Sequence, residues 1–433
     1  MARSGPATST LAPMSRSFWV ETLGCPKNQV DSDKLTGTML ADGLVPAVAP
    51  EDADLVVVNT CAFVDDARRE SIDVILALAE RKGDQAELVV TGCLAERYGD
   101  DLADALPEAD AVAGFGVPVT LRPSRAGEAA AAPSLDLLNL PRPPASAPWA
   151  YVKVAEGCDR ACGFCAIPSF RGKQRSRAFA AIVDEVDDLA ASGVREVVLV
   201  AQDLAAYGRD QGRGARRIIP LVETLVRRVD RVRLLYLYPS DLTAGLIDAI
   251  SATGVPYFDL SLQHASAPLL RRMRRWGDGE RFLRRIEDIR ARQPDAAFRS
   301  SFIVGYPGET EDDHDALLRF VAEADLDWAG FFAYSAEEGT YAAGLDGTVD
   351  AELAADRLAE LRELQDGITA RHRDALIGTV LDVLVDAPGV ARSHREAPEI
   401  DGIIAVPDTL VVGELVKVRI EGAAGTDLEA TQA

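Results

Sequence analysis

The chain has 433 residues, of which 48% are hydrophobic and 27% charged, a composition typical of a globular protein with about two to four domains. Its 46 Lys and Arg residues against 69 Asp and Glu residues give a net charge of −23. This charge repels nucleic acid phosphates, so direct tRNA binding is not expected, although plain solubility also explains it. Because no apolar run reaches the ~20 residues of a membrane helix and the start lacks a secretory signal, we expect a cytoplasmic protein with no membrane partner.

The six cysteines of the chain fall into a spread group and a tight group. A cytosolic chain of this size does not need a disulfide framework. The cysteines are therefore candidates for metal binding or catalysis. The spread group is Cys25, Cys61 and Cys93, and the tight group is Cys158, Cys162 and Cys165.

After a start predicted to be disordered (1–16), residues 17–117 predict an N-terminal domain with a doubly wound parallel sheet. Each cysteine of the spread group follows a predicted strand, at the edge where open α/β sheets bind ligands. We expect the three thiols to converge and to hold an iron–sulfur cluster with one open iron; buried structural cysteines are the alternative. The predicted strands are Phe18–Gly24, Asp54–Thr60 and Glu87–Gly92, and the predicted helices are Ser32–Asp42 and Asp65–Arg81.

Residues 118–147 are rich in Pro and Ala without periodicity and predict a linker. Residues 148–375 then alternate strands and helices. Six βα units favour a partial TIM-like barrel with its site at the carboxyl ends of the strands, where the tight cysteine group falls. The predicted strands are Ala150–Ala155, Glu196–Ala201, Arg233–Tyr238, Tyr257–Leu262, Phe298–Val304 and Asp327–Tyr334.

Residues 376–433 predict a small, OB-like β-barrel of about five strands, including Thr379–Asp386, Ile400–Val406 and Leu410–Ile420. This segment carries ten acidic and four basic residues, a net charge of −6. Barrels that bind RNA are usually basic, so an acidic barrel favours a basic protein partner. The alternative is an acidic spacer without a partner.

The tight group lies in Gly157–Cys165, with the spacing C-x3-C-x2-C. Three thiolates on one loop can hold three irons of a cubane cluster and leave the fourth iron open. An open iron can bind the amino and carboxylate groups of a substrate, and an electron passed to a bound sulfonium breaks a carbon–sulfur bond. A structural zinc loop is the alternative, but it needs a fourth ligand, and the nearest histidine in sequence is the distant His264.

This spacing is the signature of the radical S-adenosylmethionine superfamily, and further motifs resemble its methylthiotransferase family. The final β-barrel is similar to the TRAM domain of that family, and the resemblance covers about residues 18–430. The runs that carry it are Gly24–Ser32, Asn59–Val64, Gly92–Tyr98 and Glu156–Arg177.

The resemblance implies a fold, cofactors and a mechanism. In this family Cys158, Cys162 and Cys165 bind a 4Fe–4S cluster that cleaves S-adenosylmethionine, and the 5′-deoxyadenosyl radical removes a substrate hydrogen. A second 4Fe–4S cluster on the spread triad presents sulfur, and a second S-adenosylmethionine supplies the methyl group. Both clusters should face one cavity, and an electron donor of flavodoxin or ferredoxin type is implied.

Two branches of the family must be separated: one modifies tRNA adenosine, and the RimO branch modifies the β-carbon of an aspartate in small-subunit ribosomal protein S-twelve. Tyr236–Pro239, Leu260–Ser266 and Glu396–Gly402 resemble the RimO branch, although Ser261 stands where a proline is expected. We therefore expect that basic ribosomal protein as substrate. The tRNA branch, or a non-enzymatic iron–sulfur or zinc scaffold, is the alternative.

Five further residues are predicted to contact S-adenosylmethionine or to line the cavity. The resemblance suggests that Phe164 packs near the adenine, with simple loop packing as the alternative. Gln202 and Gln263 end barrel strands and are candidates to line the cavity, or to form loop hydrogen bonds. Arg299 and the turn that begins at Gly305 are candidates to bind S-adenosylmethionine, although Gly-Pro there is also ordinary turn chemistry.

Overall fold

A computed structural model describes residues 16–119, 136–212 and 217–433. The predicted disordered start, apart from Arg16, and residues 120–135 of the predicted linker lie outside these ranges. The chain forms two compact units: residues up to Ala62 with Asp66–Pro143, and Phe63–Asp65 with Pro144–Ala433. None of the described helices combines the length and apolar character that crossing a membrane requires.

The first unit contains one sheet of five parallel strands in the order β2-β1-β3-β4-β5. All six residues of β3 are buried, as expected for a parallel strand covered on both faces. The predicted parallel-sheet domain is confirmed. Its elements are β1 Ser17–Thr22, α1 Pro26–Ala41, β2 Val45–Pro46, β3 Leu55–Thr60, α2 Asp65–Arg81, β4 Glu87–Gly92, α3 Cys93–Ala105 and β5 Ala111–Ala113.

Helix α1 begins six residues before its predicted start at Ser32. Pro26 occupies the first helical position, where the missing N–H costs nothing and the fixed φ suits the helix. Cys25 is therefore the N-cap residue of α1, with extended backbone. The first turn of α1 therefore lies directly beside Cys25 at the carboxyl end of β1.

The described end of the predicted linker packs against α1. Leu138 is buried, and the Lys34 ammonium donates to the carbonyl oxygen of Leu140 at 2.6 Å. A Cβ atom on Gly37 would lie 2.6 Å from the carbonyl oxygen of Pro141. Glycine is thus required where this segment crosses the helix, and residues 137–142 are part of the unit rather than a free connection.

The second unit begins with six parallel strands that form the predicted partial barrel. Strands β6, β9 and β10 make one sheet, β11, β12 and β13 another, and a parallel bridge between Leu237 and Leu260 connects them. The elements are β6 Trp149–Lys153, β7 Ala155–Glu156, α4 Ile167–Phe170, β8 Arg175–Ser176, α5 Phe179–Ala191, β9 Glu196–Val200, α6 Ile218–Leu225, β10 Arg231–Leu234, α7 Ala244–Ser251, β11 Tyr257–Gln263, α8 Ala267–Arg272, α9 Gly279–Arg292, β12 Ala297–Val304, α10 Glu311–Ala324, β13 Trp328–Ala333 and α11 Ala351–Asp374.

Strand β10 ends four residues before the predicted end at Tyr238. The backbone leaves the extended conformation at Tyr236, whose φ is 63°. A hydrogen bond of 2.9 Å from the Tyr236 N–H to Asp259 Oδ2 stabilises this left-handed residue. The run that looked like strand continuation therefore turns across the carboxyl end of the barrel.

The chain ends in a closed five-stranded barrel with the order β14-β15-β16-β18-β17, as predicted. The predicted strand Leu410–Ile420 is wrong in its first half, because Val411 and Val412 lie in an exposed turn. Two short strands, β15 and β18, were not predicted from the sequence. The elements are β14 Val380–Ala387, β15 Val390–Arg392, β16 Ile404–Ala405, β17 Leu415–Ala424 and β18 Asp427–Gln432.

A buried ion cluster joins this closed barrel to the amino ends of the partial-barrel strands. Arg233 Nε donates to Glu196 Oε1 at 2.7 Å, and Arg392 Nη1 lies 3.4 Å from Glu196 Oε2. All three side chains are at most 2% exposed. Burial alone would raise the pKa of Glu196, but Arg233 and Arg392 lower it to about 2.

The segment Glu396–Gly402, which resembles the RimO branch, docks on the same end of the partial barrel. The Tyr151 hydroxyl donates to the carbonyl oxygen of Pro398 at 2.8 Å, and the Tyr257 hydroxyl donates to Asp401 Oδ2 at 2.6 Å. The buried Glu396 carboxylate pairs with Arg373. These contacts give the segment a role in fastening two domains.

Candidate active site

The spread cysteines follow three neighbouring strands of the first unit. Cys61 and Cys93 come directly after β3 and β4, and Cys25 follows β1 by a short turn. The strand order changes direction between β1 and β3, which is the switch point where open α/β sheets bind ligands. Topology alone therefore gathers three thiols at one sheet edge.

A buried asparagine in the first turn of α1 holds these strand ends together. The Asn28 amide donates to the carbonyl oxygens of Leu23 at 2.8 Å and Thr60 at 3.0 Å. Its Oδ1 accepts a hydrogen bond from the Cys93 thiol, whose Sγ lies 3.6 Å away. Sequence reasoning did not single out Asn28, although its position three residues after a capping cysteine was the available signal.

Two glycines with positive φ allow this close approach. A Cβ atom on Gly24 would lie 2.9 Å from Cys61 Sγ, so that sulfur rests against the residue before Cys25. A Cβ atom on Gly92 would lie 2.4 Å from Asn59 Oδ1. Side chains at either position would push the strand ends apart.

The tight cysteine loop lies at the carboxyl end of the partial barrel and is fixed by main-chain hydrogen bonds. The Cys158 N–H donates to the carbonyl oxygen of Gly172 at 3.0 Å, and the Gly163 N–H donates to the carbonyl oxygen of Met273 at 2.8 Å. The carbonyl oxygen of Gly163 accepts the N–H of Ala342 at 2.7 Å. The loop is therefore attached to three separate segments.

Hydrogen-bond donors point at two of the sulfur atoms in this loop. The Arg160 N–H donates to Cys158 Sγ at 3.4 Å, and Arg275 Nη1 donates to Cys162 Sγ at 3.4 Å. Burial raises the pKa of Cys158 to about 11 and that of Cys165 to about 12, and the adjacent thiols contribute to both shifts. Isolated thiols here stay protonated at neutral pH, so ionisation requires a bound metal group, for which this donor set is suited.

The side chain of Tyr238 connects the cysteine loop to Arg275. Its ring lies between two guanidinium groups, with the Cζ atoms of Arg160 and Arg275 at 3.7 Å and 4.0 Å from the ring centroid. Arg160 also pairs with Asp203 at 2.6 Å. Tyr238 belongs to the RimO-like run Tyr236–Pro239, and its contact with both arginines could not be read from the sequence.

Cys158, Cys162 and Cys165 of the tight group are free thiols. Within the described ranges, no three or more His, Cys, Asp or Glu side chains are grouped so as to hold a single metal ion.

Sequence families match the three regions separately. Residues 17–114 match the Uncharacterized protein family UPF0004, residues 152–321 the Radical SAM superfamily, and residues 377–432 the TRAM domain. Full-length relatives match as well. The ribosomal protein uS12 methylthiotransferase RimO of Cutibacterium acnes is 41% identical, covering 95% of this chain and 97% of the relative. RimO of Moorella thermoacetica is 43% identical, covering 93% of this chain and 95% of the relative.

The chain belongs to the RimO family of methylthiotransferases. It is therefore a transferase of the radical S-adenosylmethionine superfamily, whose members use a 4Fe–4S cluster and S-adenosylmethionine. Among solved structures, the methyltransferase TsrM of Kitasatospora setae with cobalamin and a [4Fe-4S] cluster is 15% identical, with a TM-score of 0.54 over 92% of this chain and 84% of TsrM. This likeness shows the fold.

In this RimO-family chain, Gln202 lies beside the cysteine loop. Its Nε2 donates to Glu156 Oε1 at 2.6 Å, and the same oxygen accepts the N–H of Gly157 at 3.2 Å. The buried Gln202 Oε1 has no hydrogen-bond partner among the described residues. An open acceptor next to the loop is compatible with a ligand there, and the role of Gln202 stays a prediction.

Three other predicted residues also end up near the carboxyl face of the barrel. Phe164 is half-buried and packs against the barrel core. Gln263 closes β11 after a bulge, with φ 74°. The Gly305 N–H donates to Glu309 Oε2 at 2.6 Å and stabilises the turn after β12. In this turn the hydroxyl of Tyr306 lies 2.8 Å from a Cβ atom built on Gly163. Contact with S-adenosylmethionine stays a prediction for all three.

Arg299 lies on the fifth strand of the partial barrel, as expected, with two carboxylates beside it. It is the third residue of β12 and pairs with Asp259 at 3.2 Å and with Asp401 of the closed barrel at 3.5 Å. Its charge is engaged at the amino half of the strands, where the closed barrel docks. The prediction that Arg299 binds S-adenosylmethionine gains no support from this position.

Proposed function

We propose that this RimO-family enzyme adds a methylthio group to the β-carbon of an aspartate in ribosomal protein uS12, the small-subunit protein S-twelve. The proposed cofactors are S-adenosylmethionine and two 4Fe–4S clusters. The observation that carries the proposal is the presence of two separate triads of cysteines, one after the strands of the first unit and one in the loop that follows the first strands of the partial barrel. The names of the full-length relatives support the substrate.

The two triads have different roles in the proposed reaction. Cys158, Cys162 and Cys165 would hold the first cluster, and Cys25, Cys61 and Cys93 the second. When bound, the first cluster supplies the electron that cleaves S-adenosylmethionine and the second supplies the sulfur. The protein contributes orientation and the exclusion of water from the reacting groups.

The residues around the tight triad stabilise negative charge on sulfur. Arg160 and Arg275 donate hydrogen bonds to Cys158 and Cys162. Hydrogen bonds to ligand sulfurs are among the factors that set the reduction potential of an iron–sulfur cluster. Gln202, with its open carbonyl oxygen, is positioned to accept a hydrogen bond from a bound amino group.

The acidic charge of the chain supports a basic protein as substrate. A net charge of −23 attracts a ribosomal protein rich in Lys and Arg and repels tRNA. We accordingly propose that the enzyme acts in the cytoplasm, takes electrons from a donor of flavodoxin or ferredoxin type and does not bind tRNA directly.

The deciding experiment offers both substrates to the same enzyme. Purified, reconstituted protein is incubated with S-adenosylmethionine, a reductant, and either recombinant ribosomal protein uS12 or unmodified tRNA. Mass spectrometry should find the added methylthio group on an aspartate of uS12. Methylthio mass on tRNA alone would establish the adenosine branch instead.

Metal analysis tests the two-cluster part of the proposal. Two cubane clusters predict about eight irons with matching sulfide per chain. About four irons would leave only one cluster, and stoichiometric zinc would indicate a scaffold rather than an enzyme.

Two cysteine variants separate the proposed roles. Cys158→Ala should abolish cleavage of S-adenosylmethionine, because the first cluster loses a ligand. Cys25→Ala should retain cleavage but lose methylthio transfer. The readouts are 5′-deoxyadenosine release and product mass, and transfer that survives in Cys25→Ala would remove the role given to the spread triad.

A further inference from the structure

Two segments of this acidic chain are strongly basic. Residues 157–177 contain five Lys or Arg and one Asp, and residues 271–285 contain seven Arg and two acidic residues. Twelve basic residues against three acidic ones contrast with 46 against 69 in the whole chain. The first segment includes the tight cysteine loop itself.

Both segments contact the cysteine loop, one on each side. On the Cys158 side, a Cβ atom on Gly157 would lie 2.2 Å from the carbonyl oxygen of Lys173. On the other side, the Gly163 N–H donates to Met273, the residue before Arg274. Main-chain contacts therefore hold both basic segments next to the tight cysteine loop.

Most of the charged side chains that these segments expose are basic. Arg274 stacks on the exposed ring of Tyr341, with Cζ 3.6 Å from the ring centroid, and that ring lies 3.1 Å from a Cβ atom built on Gly163. Trp276 is also exposed. The exposed basic residues are Lys173, Arg175, Arg271, Arg274, Arg281 and Arg284, against the exposed acids Asp159 and Glu280.

We propose that Lys173, Arg175, Arg271 and Arg274, here called the basic rim, form the docking surface for an acidic electron-transfer protein that reduces the first cluster. The inference rests on the proposed function, because it requires a cluster at the tight triad. In this step the donor is oxidised by one electron and the cluster is reduced by one electron. The exposed Trp276 and Tyr341 lie next to Arg274, and Arg, Trp and Tyr are the residue types that dominate binding energy at protein interfaces.

Charge decides between the possible occupants of the rim. A basic ribosomal protein is repelled by it and is attracted instead to the acidic remainder of the chain. An acidic donor faces the opposite situation: the net charge of −23 repels it everywhere except at a local positive surface. The rim thus directs the donor to the loop where the electron must enter.

The test measures reduction of the cluster by stopped-flow absorbance, with reduced acidic flavodoxin as the donor. The variants are Lys173→Glu/Arg175→Glu and Arg271→Glu/Arg274→Glu, in a background in which Cys25, Cys61 and Cys93 are Ala so that one cluster is observed. Arg227→Glu/Arg319→Glu is the control, since it makes the same charge change on exposed residues at the end of α6 and on α10.

At low salt each rim variant should reduce the second-order rate constant with flavodoxin by about 10–100-fold, and the difference should shrink as salt is added. Reduction by dithionite, which needs no docking, should be unchanged. The affinity for oxidised flavodoxin, measured by calorimetry, should fall in parallel with the rate. The control variant should behave like the parent in all three measurements.

Two outcomes would overturn the inference. One is an unchanged flavodoxin rate in both rim variants while dithionite still reduces the cluster. The other is loss of ribosomal RNA binding in the variants with no effect on flavodoxin, which would identify the rim as an RNA surface. A parent protein without any dithionite-reducible cluster would instead refute the proposed function on which the inference rests.

Discussion

The two ends of the partial barrel use buried polar groups in opposite ways. At the carboxyl end, next to the cysteine loop, Gln202 Oε1 and Asp203 Oδ1 have no hydrogen-bond partner among the described residues. At the amino end, both carboxylate oxygens of Glu196 and of Glu396 are engaged. One end therefore leaves two buried acceptor oxygens open, and the other engages all four oxygens of its two buried carboxylates.

This difference separates chemistry from stability within one set of strands. Active sites of parallel barrels lie at the carboxyl ends, while the amino ends serve stability. Substitutions at the cysteine loop should then change activity with little loss of folding, and substitutions at the ion cluster should do the reverse. The following changes test that division, from the largest expected effect to the smallest.

The largest effect is expected for Gly157→Ala at the carboxyl end. Its φ of +77° disfavours any side chain, and the new Cβ atom would meet a backbone oxygen at 2.2 Å. The rate of 5′-deoxyadenosine release should fall by more than about 1000-fold, comparable to loss of a catalytic group. Iron bound at the tight triad should be largely lost. Gly344→Ala, which has open space around it, is the control and should remain active.

At the amino end, Glu196→Gln should destabilise the protein by about 3–5 kcal/mol, because it leaves the buried Arg233 guanidinium without its carboxylate partner. The measurement is the urea midpoint of the second unit. Cleavage of S-adenosylmethionine per folded molecule should stay near the parent value. Glu280→Gln, at an exposed pair, should cost less than about 1 kcal/mol; equal costs for the two variants would contradict the comparison.

Arg275→Met should lower the rate of S-adenosylmethionine cleavage by about 10–100-fold, the range found when a hydrogen bond to a metal ligand is lost. The cluster potential should become more negative, because a cationic donor to Cys162 is removed. Redox titration followed by EPR measures the shift, and Arg275→Lys should restore part of it. A potential that does not move in either variant would mean that Arg275 only supports the loop.

The smallest effect concerns the pH dependence of stability through Asp401. Burial raises the pKa of Asp401 to about 6, against the lowering effects of Arg299 and the Tyr257 hydrogen bond. The folded state therefore binds more protons than the unfolded state between about pH 4 and 6, and stability falls as pH rises through that window, by at most about 1.4 kcal/mol per pH unit.

Asp401→Asn should remove this slope, since the variant has no group to titrate there. Urea unfolding of both proteins at several pH values between 4 and 7 measures the difference. Identical slopes in the two proteins would show that Asp401 does not titrate in the folded protein within that window.

Much of the fold was predictable because its signals are local. Apolar strands alternating with amphipathic helices identified both α/β regions, and the spacing of Cys158, Cys162 and Cys165 predicted a loop that binds a cluster. The spread triad was recognisable because each cysteine follows a strand. That both triads face one cavity stays a prediction.

The remaining features depend on contacts between residues far apart in sequence. Tyr238 meets Arg160 and Arg275 only because β10 ends early and the chain turns at Tyr236. The partners of Arg299, Asp259 and Asp401, could not be predicted, since a strand pattern does not show which distant side chains meet it. Strands β15 and β18 were missed because they are short or largely polar.

The docking segment Glu396–Gly402 has a consequence for domain exchange. Its main chain and carboxylates satisfy groups at the base of the barrel, including the hydroxyl of Tyr151 and the guanidinium of Arg373. A chimera that received the TRAM domain of a different enzyme would lose these partners unless the segment were transplanted with it. The C-terminal barrel is thus not an interchangeable module. An exchange would also have to match its contacts with the amino ends of the partial-barrel strands.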